Sequence, residues 1–535
     1  MNQALKKKAT ALSYATMVIA FFSLLSRLVG LLRDRIFASS FGAGAELDVY
    51  YAAFRIPDFL FNLLILGTLS AAFIPVFAYY RERDKEVGWR FAGTVLNLTL
   101  LIMGALSLVI FAAAPFLVRL IFPGFDSEKL AQTANLTRIM LLSPVFFSLS
   151  SVLASVLNTF KRFTLVAVLP VVYNLSIIFG TLALYPFFGL SGLAFGVVIG
   201  SILYFVLQLP AVYQLGFRWR AVLDLDLPAV KKMAKLFFPR IFSMDLSPLI
   251  AVSIGSTLTV GSIAVYNLAS NLQAVPLGVI AVSLSTVAFP LLSEAVAKGE
   301  RESFRRIFNH NLTQILFLMI PLSAFILILR AQIVRLVLGT GRFGWEDTIA
   351  TIAALGFFVL SLAAQGLIPL FSRAFYSLHN TKIPLVTGLI SAAVYLLAAW
   401  LLAVRAELGV AGLALAFTVS SFVNLAILFA ALEIKFGNLV DRHLVFKLEK
   451  ILTATLCAGI ATYGTLFLVA PLVDTRTVVG LGLQTLCALT VGIGVYLLAG
   501  VILNLAESRH FLSTLKSLLI KLRASFARFP EELLS

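Results

Sequence analysis

Residues Ser26 to Phe59 read SRLVGLLRDRIFASSFGAGAELDVYYAAFRIPDF and carry Arg27, Arg33, Asp34, Arg35, Asp48, Arg55 and Asp58. Arginine presents a planar fork of N–H donors that matches the paired oxygens of phosphate and carboxylate. On a helical wheel Ser23, Ser26, Arg27, Gly30, Arg33 and Asp34 fall within about 120°, while Arg35 points elsewhere. Asp48, Tyr51, Arg55, Asp58 and Asn62 make a second stripe on the following helix. Two chemistries fit these residues. As the pairs Arg27–Asp34 and Arg55–Asp58 they would fix helix packing. With arginine in surplus they would line a cationic, water-filled cavity that takes an anion. The deep acids are few, namely Asp34, Asp58 and Asp245, and the balance favours the anion cavity.

The elements holding these charges are spanning helices. Of the 535 residues 60% are hydrophobic and 13% charged, and the mean hydropathy is +0.99. Apolar runs of about 20 residues recur along the whole chain, as transmembrane helices require. A charge at membrane depth costs about 2.5–3.5 kcal/mol on insertion scales, so lipid is not the surface the stripes face. The pattern predicts an all-α polytopic membrane protein with about fourteen spans, the first over 11–38 and the second over 47–80. Lys and Arg concentrate in alternate loops; only Lys129, Arg342, Arg405 and Arg476 fall in loops on the other side. By the positive-inside rule both termini lie in the cytoplasm. This topology accounts for most of the net charge of +17 without nucleic acid. After Glu507 the tail reads as a basic amphipathic helix lying on anionic lipid.

The chain also repeats itself. GLSGLAFG at Gly189 returns as GVAGLALA at Gly409, VRLIF at Val118 as VRLVL at Val334, and LSAAFIP at Leu69 as LSTVAFP at Leu284. Six helices separate the copies, and an even number preserves orientation. The repeats are therefore parallel, about an axis along the membrane normal. This predicts an N-terminal lobe over 1–220, a second six-helix lobe over 221–440, two further helices over 441–507, and a cytoplasmic tail over 508–535. Two like lobes are the usual build of an alternating-access transporter. No GxxxxGK[ST], CxxC or HExxH motif occurs, and Cys457 and Cys487 both sit in apolar runs. Nucleotide hydrolysis by a phosphate loop and thiol or histidine metal sites have no residues to stand on. The chain reads as a transporter, not an enzyme, with no cofactor.

The motifs SRLVGLLRD, FGAGAELD and YYAAFRIPD, with RAFYSLHNTKIPLVTGLIS at Arg373, resemble the MurJ/MviN family of lipid II flippases in the MOP transporter superfamily. The resemblance spans helices 1–12. It implies export of undecaprenyl-diphosphate-linked disaccharide-pentapeptide for peptidoglycan across the bacterial inner membrane. It also implies that Arg27 and Arg33 contact the diphosphate, that Arg55 is a basic cavity position, and that the last two helices form a groove for the lipid tail. The chain departs from the family pattern where an Arg-Arg pair and a later Glu are usual; here stand Phe61, Asn62 and Leu66. It departs again in helix 8, where Ser270 and Asn271 replace Asp-Arg. Arg55 and Arg240 are the candidates to substitute for the missing arginines. The candidate substrate-binding set is thus Ser26, Arg27, Arg33, Asp34, Asp48, Arg55, Asp58, Arg240 and Asn271. The partners implied are a lipid-linked oligosaccharide, membrane lipids and a coupling ion or the membrane potential, with a single chain as the working unit. A flippase for another polyprenyl-diphosphate glycan and a multidrug/cation antiporter are the alternatives.

Overall fold

The computed structural model describes residues 2–65, 69–221, 223–237, 246–437, 439 and 442–513. Arg240, Asp245 and most of the amphipathic tail lie outside the described residues. The described chain is helical throughout. Its first half holds α1 (Asn2–Phe41), α2 (Ala45–Ile65), α3 (Leu69–Arg83), α4 (Lys85–Ile121), α5 (Ser127–Met140), α6 (Leu142–Thr159) and α7 (Phe163–Phe179). There follow α8 (Tyr185–Phe188), α9 (Leu190–Val206), α10 (Leu209–Gln214), α11 (Pro228–Phe237), α12 (Ser247–Gly255) and α13 (Ser262–Pro276). Then come α14 (Val282–Ala297), α15 (Arg301–Val337), α16 (Trp345–Leu360), α17 (Leu362–Ser377), α18 (Lys382–Ala399), α19 (Gly409–Phe436), α20 (Arg442–Val469) and α21 (Val478–Ile502).

Among the described residues ten helices are long and apolar enough to cross a membrane. The pair α16 and α17, bent by 44° at Ser361, would make an eleventh. Of the stretch expected as one span over 47–80, α2 and α3 are described, and residues 66–68 between them lie outside the described residues. With Glu46, Asp48, Arg55 and Asp58 in 21 residues, α2 is too polar to count among the ten.

The chain divides into two compact units. Unit 1 comprises Met1–Val275, Val337–Ala354 and Pro384–Ser420; unit 2 comprises Pro276–Leu336, Leu355–Ile383 and Ser421–Ser535. In unit 1 a small-residue ridge on α9 sets the spacing of the helices around the charged stripe. A Cβ on Gly180 would lie 2.6 Å from the Cα of Gly196, and one on Gly192 would lie 2.5 Å from the backbone of Leu184. Only glycine permits that approach, the packing mode that suits membranes because lipid gives apolar helices no other reason to associate. α7, held against α9 on that side, packs against α1 on the other. An aromatic core of Phe73, Phe77 and Phe91 joins α3 and α4 within the same unit.

The repeat is visible in local structure. A π-helical turn over Gly180–Leu184 precedes GLSGLAFG, and another over Trp400–Arg405 precedes GVAGLALA. Both motifs open on a glycine at φ 55°, Gly189 and Gly409. A Cβ on Gly412 would sit 2.7 Å from the Ala403 backbone, as one on Gly192 collides with Leu184.

In unit 2, α20 and α21 pack as a pair. Gly492 faces Thr462 in close approach, and the Gln484 amide donates to the Leu466 carbonyl at 2.9 Å. The Tyr496 hydroxyl donates to the Phe317 carbonyl at 2.7 Å and so ties the pair to α15. Cys457 and Cys487 are free thiols on the outer surface of these two helices.

Candidate substrate cavity

Two cavities lie within unit 1. The first, of about 460 Å³, is lined by all six residues of the α1 stripe: Ser23, Ser26, Arg27, Gly30, Arg33 and Asp34. α7 contributes Pro170 and Asn174, and α13 contributes Asn271 and Ala274. The second, of about 600 Å³, takes Arg33, Asn174 and Asn271 as shared walls. It adds Arg55 and Asp58 from α2 and a box of aromatics, including Tyr50, Tyr51, Phe61, Phe147, Tyr173, Tyr204 and Tyr266.

The ion pairing differs from the pairs read on the helical wheel. Asp34 pairs with its neighbour Arg33, not with Arg27. The Arg33 Nε and Nη2 donate to Asp34 Oδ1 at 3.0 and 2.7 Å, and Nη1 donates to Asn174 Oδ1 at 3.1 Å. The second Asp34 oxygen accepts from Asn271 Nδ2 at 3.0 Å. Adjacent residues on a helix diverge by about 100°, yet the long arginine stem reaches back across that angle. Asn174 is itself fixed by donating to the Pro170 carbonyl at 2.9 Å, with Ser26 at 3.4 Å. Asp34 is thereby buried to 2% exposure with both oxygens satisfied.

Arg27 donates through Nη1 to the Ala274 carbonyl at 3.1 Å, and its buried Nε has no partner. Arg55 donates to the side-chain oxygen of Asn267 rather than to Asp58, and its Nε is also buried and open. Asp58 accepts from Asn62 instead. The hydroxyls of Tyr51 and Tyr173 in the second cavity are likewise buried without a partner. Each such donor costs on the order of 1–3 kcal/mol if nothing meets it. The residues that carry these four donors line the two cavities, Arg27 the first and Tyr51, Arg55 and Tyr173 the second.

Seven of the nine candidate residues therefore line one or both cavities: Ser26, Arg27, Arg33, Asp34, Arg55, Asp58 and Asn271. Asp48 lines neither. Its two oxygens accept from the backbone N–H of Gly261 at 2.6 Å and Ala264 at 2.8 Å. It thus caps the first turn of α13, satisfying donors that a helix start leaves free. Nearby, Asp347 accepts from the N–H of Ala43 at 3.1 Å and Gly344 at 3.0 Å, and the Arg342 N–H donates to the Ser39 carbonyl at 2.9 Å. Gly42, at φ 63°, makes that turn possible. Asn174, Asn267 and the tyrosines other than Tyr51 were not singled out from sequence. The signal present was a lone amide inside an apolar run, as in VLPVVYNLSIIF.

A polytopic helical bundle with a polar cavity of this kind has the architecture of a membrane transporter. An inward-facing multidrug resistance MATE family transporter of the MOP superfamily superposes with a TM-score of 0.66 at 16% identity, covering 79% of this chain and 98% of its own, a likeness of fold alone. A solved structure described as lipid II flippase MurJ in an inward closed conformation gives a TM-score of 0.74 at 26% identity, over 91% of this chain and 98% of that one. The sequence profile of the family described as "Lipid II flippase MurJ" matches residues 37–482. The chain belongs to that family. Among its relatives, a probable lipid II flippase MurJ of Rhizobium tropici is 31% identical over 78% of this chain and 79% of its own length. The lipid II flippase MurJ of Burkholderia cenocepacia is 27% identical over 78% and 83%.

Proposed function

We propose that this protein is a lipid II flippase. It carries undecaprenyl-diphosphate-linked peptidoglycan precursor from the inner to the outer leaflet of the bacterial cell membrane by alternating access, without a chemical step. Membership of the family supports the cargo, and the observation that carries the binding reading is the set of open donors on Arg27, Arg55, Tyr51 and Tyr173. Arg27 and Arg33 meet the diphosphate, with Asp34 and Asn271 holding Arg33 in place. Arg55 and the tyrosines take the polar headgroup beyond it. The two repeats, 1–220 and 221–440, act as the moving lobes, and 441–507 receives the lipid tail. Both termini lie in the cytoplasm, and one chain, which contains both cavities, is the working unit. The membrane potential or an ion gradient resets the transporter, since moving one charge through 100 mV is worth about 2.3 kcal/mol.

One observation favours a broader cargo. Asn271 stands at a usual arginine position and spends its amide on Asp34, and Phe61 stands in the second cavity at another. A polyprenyl-diphosphate carrying a different glycan would lose less from those changes than lipid II. A cation antiporter is less favoured because Asp34, the acid of the first cavity, is already matched by Arg33, which leaves Asp58 as the acid of the second. The deciding experiment is growth of a bacterium depleted of its own lipid II flippase, with the precursor on each leaflet measured. Restored growth and cleared inner-leaflet lipid II establish the cargo. Expression and insertion without either result leave the broader glycan reading.

A further inference from the structure

A groove of about 730 Å³ opens on the flank of unit 1 between the end of α4 and the first turns of α5. Its walls include Pro115 and Arg119 from α4, Asp126 from the connecting turn, and Ser127, Asn135 and Arg138 from α5. Both helices belong to apolar segments long enough to span a membrane, and the polar turn PGFDSEK between them marks the headgroup level. The two arginines reach the groove from opposite directions. Side chains on a helix lean toward its N-terminus. Arg138, about three turns into α5, therefore leans up toward the turn, while Arg119, at the end of α4, leans down from it. Beside the groove α4 exposes Leu108, Phe116 and Leu120, an apolar face along which acyl chains can lie.

Within the protein Arg138 serves a backbone. Pro115 has no N–H, so the Phe111 carbonyl one turn earlier lacks its helical donor. The Arg138 Nε donates to that carbonyl at 3.1 Å, and the guanidinium lies 5.2 Å from the centre of the Phe111 ring. These contacts fix the fork and supply no negative charge. The acids in reach are spent elsewhere. Asp126 and Glu128 are the only acids between Glu86 and Asp224. Asp126 accepts from the Lys129 backbone N–H at 2.9 Å and lies 3.8 Å from the Lys129 ammonium. Glu128 accepts from the Gln132 amide at 3.1 Å. On α2, which packs against α5, Asp48 is taken by the start of α13, and Glu46 accepts from the Tyr185 hydroxyl at 2.8 Å. Neither Arg119 nor Arg138 has a carboxylate within ion-pair distance among the described residues.

We infer that this groove binds the phosphodiester of an acidic phospholipid. Arg119 and Arg138 grip the phosphate from its two sides, since a guanidinium offers paired donors to phosphate oxygens. Ser127 and Asn135 stand beside it as further donors, and the acyl chains lie on the exposed face of α4. Basic pockets between spanning helices suit such headgroups. A zwitterionic lipid fits less well: its ammonium would sit among two uncompensated arginines, and the carboxylate at the rim, Asp126, already meets Lys129. The inference is independent of the cargo, because no residue of the groove lines the cavities that hold Arg27 and Arg55.

The test is native mass spectrometry of the full-length protein in detergent. The probes are phosphatidylglycerol, phosphatidylethanolamine and phosphatidylcholine of matched chains, and inorganic phosphate. The wild type should retain one phosphatidylglycerol about tenfold more tightly than either zwitterionic lipid. In R119Q/R138Q that preference should fall to near one. Arg83→Gln removes the same charge at the opposite end of α4 and should leave the preference as it is. Helicity and monodispersity check the fold of each variant. Arg119→Gln alone, at an exposed side chain that holds no other element, serves if the double variant fails that check, and should lower the preference about threefold. Equal retention of the three lipids by the wild type overturns the proposal, as does an unchanged preference in the Arg119 and Arg138 variants or an equal loss in Arg83→Gln. Tighter retention of phosphatidylethanolamine than of phosphatidylglycerol overturns the acidic class. Displacement of the lipid by inorganic phosphate, with phosphate itself retained, overturns the lipid assignment in favour of a free anion.

Discussion

Units 1 and 2 treat charge in opposite ways. In unit 1 the arginines and acids lie inside the helices and are held by fixed partners: Arg33 by Asp34 and Asn174, Asp34 by Asn271, Arg55 by Asn267. In unit 2 the basic residues at the starts of α15 and α20 lie at helix ends, where the carboxylate that Arg305 meets, Glu302, is open to water while Lys447 and Glu507 pair largely under cover. Depth explains the difference. Inside the bilayer an ion without a partner costs several kcal/mol, so every partner must be built in. At the boundary water serves, and a surplus charge is tolerated.

The largest effect should come from breaking the built-in pair. Arg33→Ala leaves Asp34 buried with only Asn271 as a partner and should cost about 3–5 kcal/mol of stability, together with loss of complementation. Asp34→Ala added to it should restore much of the thermal stability and none of the growth. Recovery of growth in the double variant would reduce the pair to packing. Matching charge removal in unit 2, at Arg306, should change thermal stability by less than about 1 kcal/mol.

Asp48→Ala removes both acceptors from the start of α13 and should lower stability by about 2–3 kcal/mol, read by thermal unfolding, with Asp48→Asn in between. The repeat offers a paired test. Gly192→Ala and Gly412→Ala should each cost about 1–3 kcal/mol, because a methyl group meets backbone at both sites. Very unequal losses would argue that the two copies no longer share their packing. Asn271→Arg should move Asp34 onto the new guanidinium and free Arg33, raising weak complementation a few-fold or leaving it unchanged. A loss of growth would show that Arg33 works only when held by Asp34.

The smallest effect is one of access. In a background lacking Cys457 and Cys487, single cysteines at Ser23, Ser26 and Gly30 should react with a small hydrophilic thiol reagent, and cysteines at Leu25 and Leu32 should not. Gly30 tolerates the change, since a Cβ there lies 3.8 Å from Asn174. Labelling of both faces alike would remove the water-filled cavity from unit 1.

Much of this was legible in the residues. Periodicity alone places Ser23, Ser26, Arg27, Gly30, Arg33 and Asp34 on one face, and all six line one cavity. Partners were not legible. Arg27 and Asp34 are spaced as a helical i,i+7 pair, but Arg33 takes Asp34 because Asn174 and Asn271 hold the two together. Asn174 lies 141 positions from Arg33 along the chain, and no local pattern relates them. Asp48 shares the α2 stripe with Arg55, yet the two backbone amides it caps, over 200 residues away, take it out of the cavities.

The sequence by itself determined that this is an α-helical membrane protein, which helices carry charge, that the chain repeats, and to which family it belongs. These follow from hydropathy, period and motif, all of which are local or additive along the chain. Only the tertiary structure decided which charges are spent on each other and which remain open. A hydrogen bond depends on direction and distance to within a few tenths of an ångström, and that geometry exists only after distant helices have packed.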